Sequence, residues 1–530
     1  MKIRPQFFCL IFFLCILGQA KAQLILDSVL IERSRLIYPL GITEKWESIF
    51  SMPLKDHVII GISGLEQGAF TDERDWSRAE TALRSTRAFE SVGLFTDTTD
   101  SRYANIYLAL RESAPAAPTL LLQNGGGNLM LGAGYSTATL NGMNWQLTAA
   151  GYYRSENQAG AEGVLETQWN DIAGSRAFVG AGLRSGRFIT SLYGRIGLGF
   201  HPQGGLSGGM QVNKQHGYDF VYGGAQPSLY SFDSKSAQTW ITLALARRDM
   251  LFVTLLAGMN NTNRPQIISQ AFDNTGHILL GFSSLADRTD TVQKGREIYT
   301  GGWGSAVLGR FFPVNGRSNI NGFYYIGGMA SQSGLSIRKK LYLYGHIAAG
   351  TGLETGQPLY TAQEFTGLGH YMATENLIIA ARLQQQTVWN WTPFRQLIAD
   401  HDTGIRGLRA NSRAGSNRII GTIESRARII EIPAGLMLGA TAFADAGTVW
   451  AAGENLSKTQ WSASLGAGLL LLSAGRDFRL DAPLLRLDFA WRPDEAKGYG
   501  LLLSTSYSFS LIGQHKFILP SYIGGMAETE

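Results

Sequence analysis

From Thr119 onward the chain is written in runs where apolar and polar positions alternate. In Ser191–Phe200, Leu192, Ile196, Leu198 and Phe200 share one face, while Tyr193 and Arg195 share the other. In Leu485–Arg492, Leu485, Leu487, Phe489 and Trp491 oppose Arg486, Asp488, Ala490 and Arg492. In Leu501–Leu511 the odd positions are mostly apolar or aromatic, and four of the even ones are serine. A period of two marks a strand with two unlike faces. Soluble sandwiches alternate too, but their strands run about five or six residues and carry more charge outside. Here runs of about ten residues keep charge on the face that would line a lumen, as in strands that cross a membrane. The expected fold over 119–511 is an all-β transmembrane barrel of about sixteen antiparallel strands, assuming strands of about 10 residues, turns and some long loops. An even count keeps both barrel ends periplasmic. The polar inserts Ser283–Arg296 and Gln385–Arg413 are expected as outer loops, and 512–530, which contains Pro520 and lacks alternation, as a tail beyond the last strand.

Ahead of the barrel the pattern differs. Val58–Ile62 is expected as a short apolar strand. Thr71-Asp72-Glu73 opens a helix with an acid-rich first turn that carries Trp76, Ala79 and Leu83 on one face. Phe89, Val92 and Leu94 follow, and Asn105–Leu110 closes the unit with Ile106, Leu108 and Leu110 on one side of a strand. A small α+β domain is therefore expected over 57–113. Residues 23–56, with a helix around Glu44–Phe50, either complete or precede it. Ala114-Pro115-Ala116-Ala117-Pro118 is the expected stiff linker, 114–118.

Targeting narrows the setting. Residues 1–22 carry Lys2 and Arg4, an apolar core from Phe7 to Leu17 and then Ala20-Lys21-Ala22, the pattern of a secretory signal peptide cleaved before Gln23. The surroundings of Cys15, Leu14 and Ile16, argue against a lipoprotein. Both cysteines of the chain, Cys9 and Cys15, lie in this leader, so the expected mature chain offers no disulfide or thiolate chemistry. Removing Lys2, Arg4 and Lys21 lowers the formal charge from +5 to +2 (5 − 3), too balanced to argue for nucleic acid. No mature segment reaches the roughly 18 apolar residues of a membrane helix. An exported chain with 64 glycines and only 16% charged residues is thus a large soluble β protein or a membrane barrel, and the alternation favours the barrel.

One segment carries chemistry. Thr403-Gly404-Ile405-Arg406-Gly407-Leu408-Arg409 places an arginine between small residues in a long loop, before the alternating run Asn417–Ile430. In the next strand Leu436, Leu438, Ala440 and Ala442 form the lipid-facing set, so Met437, Gly439, Thr441, Phe443 and Asp445 point inward. Together these segments resemble the inward-folded loop (Gly404, Ile405, Arg406, Gly407) and its lumen partner motif (Phe443, Asp445) in the BamA/TamA and two-partner-secretion superfamily. The string Leu83–Val92 is similar to a turn of that superfamily's periplasmic POTRA module, with Trp76, Leu83, Phe89 and Val92 as its core. The resemblance covers about 57–511 and is sharpest between 403 and 447. It implies an outer-membrane protein, with its POTRA-like domain in the periplasm, that inserts client proteins into the membrane or passes them across it. The implied partners are unfolded or extended client proteins, outer-membrane lipid and accessory lipoproteins, with no nucleotide, metal or other cofactor. Two plainer readings stay open: Arg406 as a solvated loop charge, and Asp445 as a lumen residue paired with another arginine.

Catalytic readings find little support. Gly205-Leu206-Ser207-Gly208-Gly209 matches G-x-S-x-G, but it is expected in a turn between alternating strands rather than in a strand-to-helix elbow. The eight histidines show no metal-ligand spacing, and His346 falls on an inward face with Tyr342 and Tyr344. Gly125-Gly126-Gly127 precedes no helix and is not a phosphate loop. The competing function is a passive pore or structural barrel for small solutes. An outer-membrane phospholipase-like enzyme is a third class, disfavoured because no serine and histidine share a face.

Overall fold

A computed structural model describes residues from Leu24 to Ile523, with breaks at 35–52, 222–227, 315–320, 391–396, 410–412, 474–482, 506–518 and a few further short ones. The proposed leader and the helix expected at Glu44–Phe50 lie outside the described residues.

The front unit is one mixed sheet carrying two helices. Its strands β1 (Leu24–Ser34), β2 (Phe70–Thr71), β3 (Phe89–Asp97) and β4 (Tyr103–Glu112) lie in the order β2-β1-β4-β3. The pair β1 and β4 is parallel, so the segment before residue 57 belongs to this sheet. The expected strand at Val58–Ile62 is instead helix α1 (Asp56–Ser63). A short continuous apolar run suits either element. Here Val58, Ile59 and Ile62 fall on one buried helical face, and Gly64, at φ 66°, ends the helix in the left-handed conformation. Helix α2 (Glu73–Ser85) starts with a reciprocal cap: the Asp75 N–H donates to Asp72 Oδ1 and the Asp72 N–H to Asp75 Oδ2. Leu83, Phe89 and Val92 are buried in the core with Ile59, Ile106 and Leu108. Trp76 packs against this core and donates its indole N–H to Thr71 Oγ1 at 2.8 Å.

The barrel is closed and has twenty strands, not about sixteen. It runs from β5 (Ala116–Gly125) to β26 (Tyr499–Ser504), while β20 (Leu397–Ala399) and β21 (Arg413–Gly415) form a separate hairpin inside a loop. Connections as short as that between Val292 and Arg296 leave room for more strands than long loops would. Ser283–Arg296 is no outer loop: β14 (Thr275–Val292) and β15 (Arg296–Pro313) remain paired as far as Val292 and Arg296. Counted strand by strand from β5, their turn lies at the same end as the front unit. Strand β5 also begins at Ala116, inside the expected linker. Gly126 and Gly127, both at positive φ, form the two-residue turn into β6 (Asn128–Thr137), a conformation that side chains disfavour.

Alternation survives in three dimensions. In β10 (Ile189–Leu198) Leu192, Ile196 and Leu198 are exposed on the outer wall, while Tyr193 and Arg195 are partly covered inside. In β25 (Leu485–Trp491) Arg486, Asp488 and Ala490 are buried and Phe489 and Trp491 exposed. In water such an outer surface would be an unusually large apolar patch, whereas lipid makes it the favoured face. The front unit touches the barrel where the Lys55 N–H donates to Gly142 O at 3.0 Å and Met143 packs on the unit's core.

Candidate functional site in the barrel lumen

The loop between β19 (Leu377–Trp389) and β22 (Asn417–Ile432) folds inward. Asp400 and Thr403 lock its turn: the Asp400 N–H donates to Thr403 Oγ1 and the Thr403 N–H to Asp400 Oδ1. Ile405 is fully buried with Ala399, Leu408 and Ile420, which anchors the tip against the wall. Gly404 and Gly407 take φ of 122° and 79°, so the backbone turns sharply on each side of Arg406. The Arg382 guanidinium packs close to Gly404, but its flexible end could shift, so it is the backbone conformation that calls for glycine there.

Arg406 is 3% exposed, which is costly for a charge without partners. Its Nε donates to Asp445 Oδ2 at 2.7 Å and its Nη2 to Asp445 Oδ1 at 2.7 Å, the paired geometry that suits a planar guanidinium and a carboxylate. Its backbone N–H also donates to Asp445 Oδ2 at 3.2 Å, and its Nη1 reaches Glu424 Oε2 at 2.6 Å. The guanidinium carbon lies 3.4 Å from the centre of the Phe443 ring. A flat cation stacked on a ring while paired edge-on to carboxylates uses both its face and its rim.

The site extends beyond these residues. Glu424 also receives Arg426 Nε at 2.6 Å and Arg486 Nη2 at 2.9 Å, and Arg486 Nε donates to Asp488 Oδ2 at 2.7 Å. Three guanidinium groups thus share three carboxylates: Arg406, Arg426 and Arg486 with Glu424, Asp445 and Asp488. The balance explains how so much charge is buried at once. Strand β23 (Leu436–Trp450) supplies Phe443 and Asp445, β22 supplies Glu424 and Arg426, and β25 supplies Arg486 and Asp488. The inward parity of Glu424, Arg426, Arg486 and Asp488 is readable in their strands, but their convergence on one cluster is not.

The loop also reaches the first barrel strand. Gln123 Nε2 donates to Asp402 Oδ1 at 2.6 Å, and the Gly407 N–H donates to His401 Nδ1 at 3.2 Å, so that nitrogen carries no proton. Nearby, β26 closes on β5 through Leu503 with Asn124 and Ser504 with Gln123. The contact continues at Thr505, whose N–H donates to Leu122 O at 3.1 Å.

Other candidates fall elsewhere. Ser207 lies within wall strand β11 (Gly205–Val221), paired with Thr242, rather than in a turn. His346 faces inward and lies 3.1 Å from Glu364 Oε1. Among the described residues no group of three or more His, Cys, Asp or Glu could hold a metal ion.

No family model and no curated protein matches this chain. Among solved structures, BamA from Haemophilus ducreyi lacking POTRA domains 1-3 aligns at 12% identity over 92% of this chain and 84% of that one, with a TM-score of 0.44. CdiB from Acinetobacter baumannii aligns at 11% identity over 92% and 74%, with a TM-score of 0.42. The siderophore receptor PirA from Pseudomonas aeruginosa aligns at 9% identity over 76% and 82%, with a TM-score of 0.39. The chain forms a large closed antiparallel barrel.

Proposed function

We propose that this protein sits in the bacterial outer membrane and inserts client proteins into it or passes them across it. The observation that carries the reading is a small mixed sheet docked at one barrel end whose outer strand, β3, has no neighbour on its far side among the described residues. An open strand edge offers main-chain donors and acceptors that an extended client segment can pair with. Such a module serves a protein-handling barrel and gives nothing to a pore for small solutes. The buried loop around Arg406 supports the same reading, because it takes up lumen space that a passive pore would keep open. We assign the front unit a POTRA-like role in the periplasm, and Arg406, Asp445 and Phe443 the role of holding the loop against the wall. No nucleotide is needed, since each strand pairing made in lipid satisfies backbone groups that otherwise cost several kcal/mol each.

A chain lacking Leu24–Glu112 tests this in cells depleted of the intact protein. The barrel is expected to assemble, because closure depends on its own strands. Outer-membrane and surface proteins that vanish on depletion are expected to stay absent. Full recovery of those proteins by the shortened chain would overturn the role given to the unit.

A further inference from the structure

After the last strand, Leu519–Ile523 lies within the barrel against a cradle of aromatic side chains. Tyr522 stacks on Phe272, ring centres 4.6 Å apart, and meets Phe311 edge-on at 5.1 Å. The Ile523 N–H donates to Tyr325 Oη at 2.7 Å, and the Ile523 side chain is buried beside Trp303 and Met329. Pro520 lies over Gly281, where an added Cβ would fall 2.6 Å from Pro520 Cβ, so the glycine permits this approach. The cradle belongs to the arc of β13 (Met250–Asn263) to β18 (Gln357–Thr374), whereas the Arg406 loop holds the arc of β22 to β25.

A wide barrel normally has a polar interior, so a cluster of Phe272, Phe311, Phe323, Tyr325 and Tyr360 is an apolar patch that needs a cover. Each wall strand in this arc already pairs with a neighbour on both sides, so the segment cannot join the wall as another strand. It is held by side-chain packing and the hydrogen bond to Tyr325, a mode of binding that can be exchanged without unzipping the barrel.

We propose that this cradle is a binding site for an extended apolar peptide carrying an aromatic residue, and that the chain's own Leu519–Ile523 occupies it as a displaceable plug. The inference does not rest on client handling, since its test uses no client.

The full chain carrying Gly281→Cys and Pro520→Cys, purified without its leader and hence free of other cysteines, would be inserted in planar bilayers. Oxidation is expected to link the pair, read as a mobility shift on gels, because the 2.6 Å approach needs about 1 Å of relief to reach the usual Cβ separation of a disulfide. The linked barrel is expected to show low, steady conductance, and reduction to restore transient openings. Tyr522→Ala in the full chain should conduct severalfold more than the parent. A synthetic peptide covering 515–527 should block that variant, while the same peptide with serine in place of Tyr522 should not. Equal conductance in the linked and reduced states, or parent-like conductance in Tyr522→Ala, would overturn the proposal. If the double-cysteine chain does not assemble, Tyr522→Ala with the two peptides decides alone, and absence of specific block counts against it.

Discussion

At the scale of single residues, the lumen cluster explains why its cation is arginine. Lysine could approach one carboxylate oxygen, but it could not span both oxygens of Asp445 while reaching Glu424 and lying flat on Phe443. Removing one member of a desolvated pair leaves the other charge stranded, at about 3–5 kcal/mol, against about 0–1 kcal/mol for an exposed pair. Arg406→Ala is therefore expected to release the loop to proteolysis and lower function, and Arg406→Lys to rescue little of either. Asp445→Ala should be somewhat milder, because Glu424 still holds the guanidinium. The double variant should be little worse than Arg406→Ala. A double-mutant cycle on the loop's protease sensitivity measures that coupling. Strictly additive effects would mean that the two residues do not pair in solution.

At the scale of elements, alternation was readable wherever a strand has unlike faces, as in β10, β22, β23 and β25. It failed at Val58–Ile62, where an uninterrupted apolar run carries no period and burial against Leu83 and Ile106 decided for helix. It also failed to mark strand ends, because Ser283–Arg296 is polar yet remains paired. The membrane reading of the alternation is tested on the two faces of β10. Arginine on a lipid-facing midplane position costs about 2–4 kcal/mol, whereas the lumen tolerates it. Ile196, exposed between Val179 and Met210 on the outer wall, is such a position, so Ile196→Arg should reduce the heat-modifiable, membrane-assembled form, while Tyr193→Arg leaves it near the parent level. Equal tolerance at the two positions would remove the case for lipid outside.

At the scale of the molecule, the seam between β5 and β26 closes the wall, and Thr505, whose N–H donates to Leu122 O at 3.1 Å, carries the contact past Ser504. On the proposed function a client strand can enter the membrane at this seam or pass through the lumen, and we predict the seam. Leu503 and Asn124 are partners across it, at the Cα separation of roughly 4.5–5.5 Å found in antiparallel pairs, within reach of a disulfide. Leu503→Cys with Asn124→Cys should stop client insertion when oxidised and restore it on reduction, as read by assembly of a reporter barrel in proteoliposomes. Undiminished insertion through the linked barrel would exclude the seam and leave the lumen as the route.

The class of fold was determined locally, because in lipid every strand must carry its environment in its own period of two, residue by residue. The inward parity of Asp445 and the turn-forming glycines around Arg406 were legible for the same reason. What only the tertiary structure decided depends on closure. Twenty strands rather than sixteen, the meeting of Arg406 and Arg486 at Glu424 with Asp488 beside them, and the descent of Tyr522 into an aromatic cradle all join residues far apart along the chain. Strand alternation says which way a side chain points, but the radius and stagger of the closed wall determine what it meets.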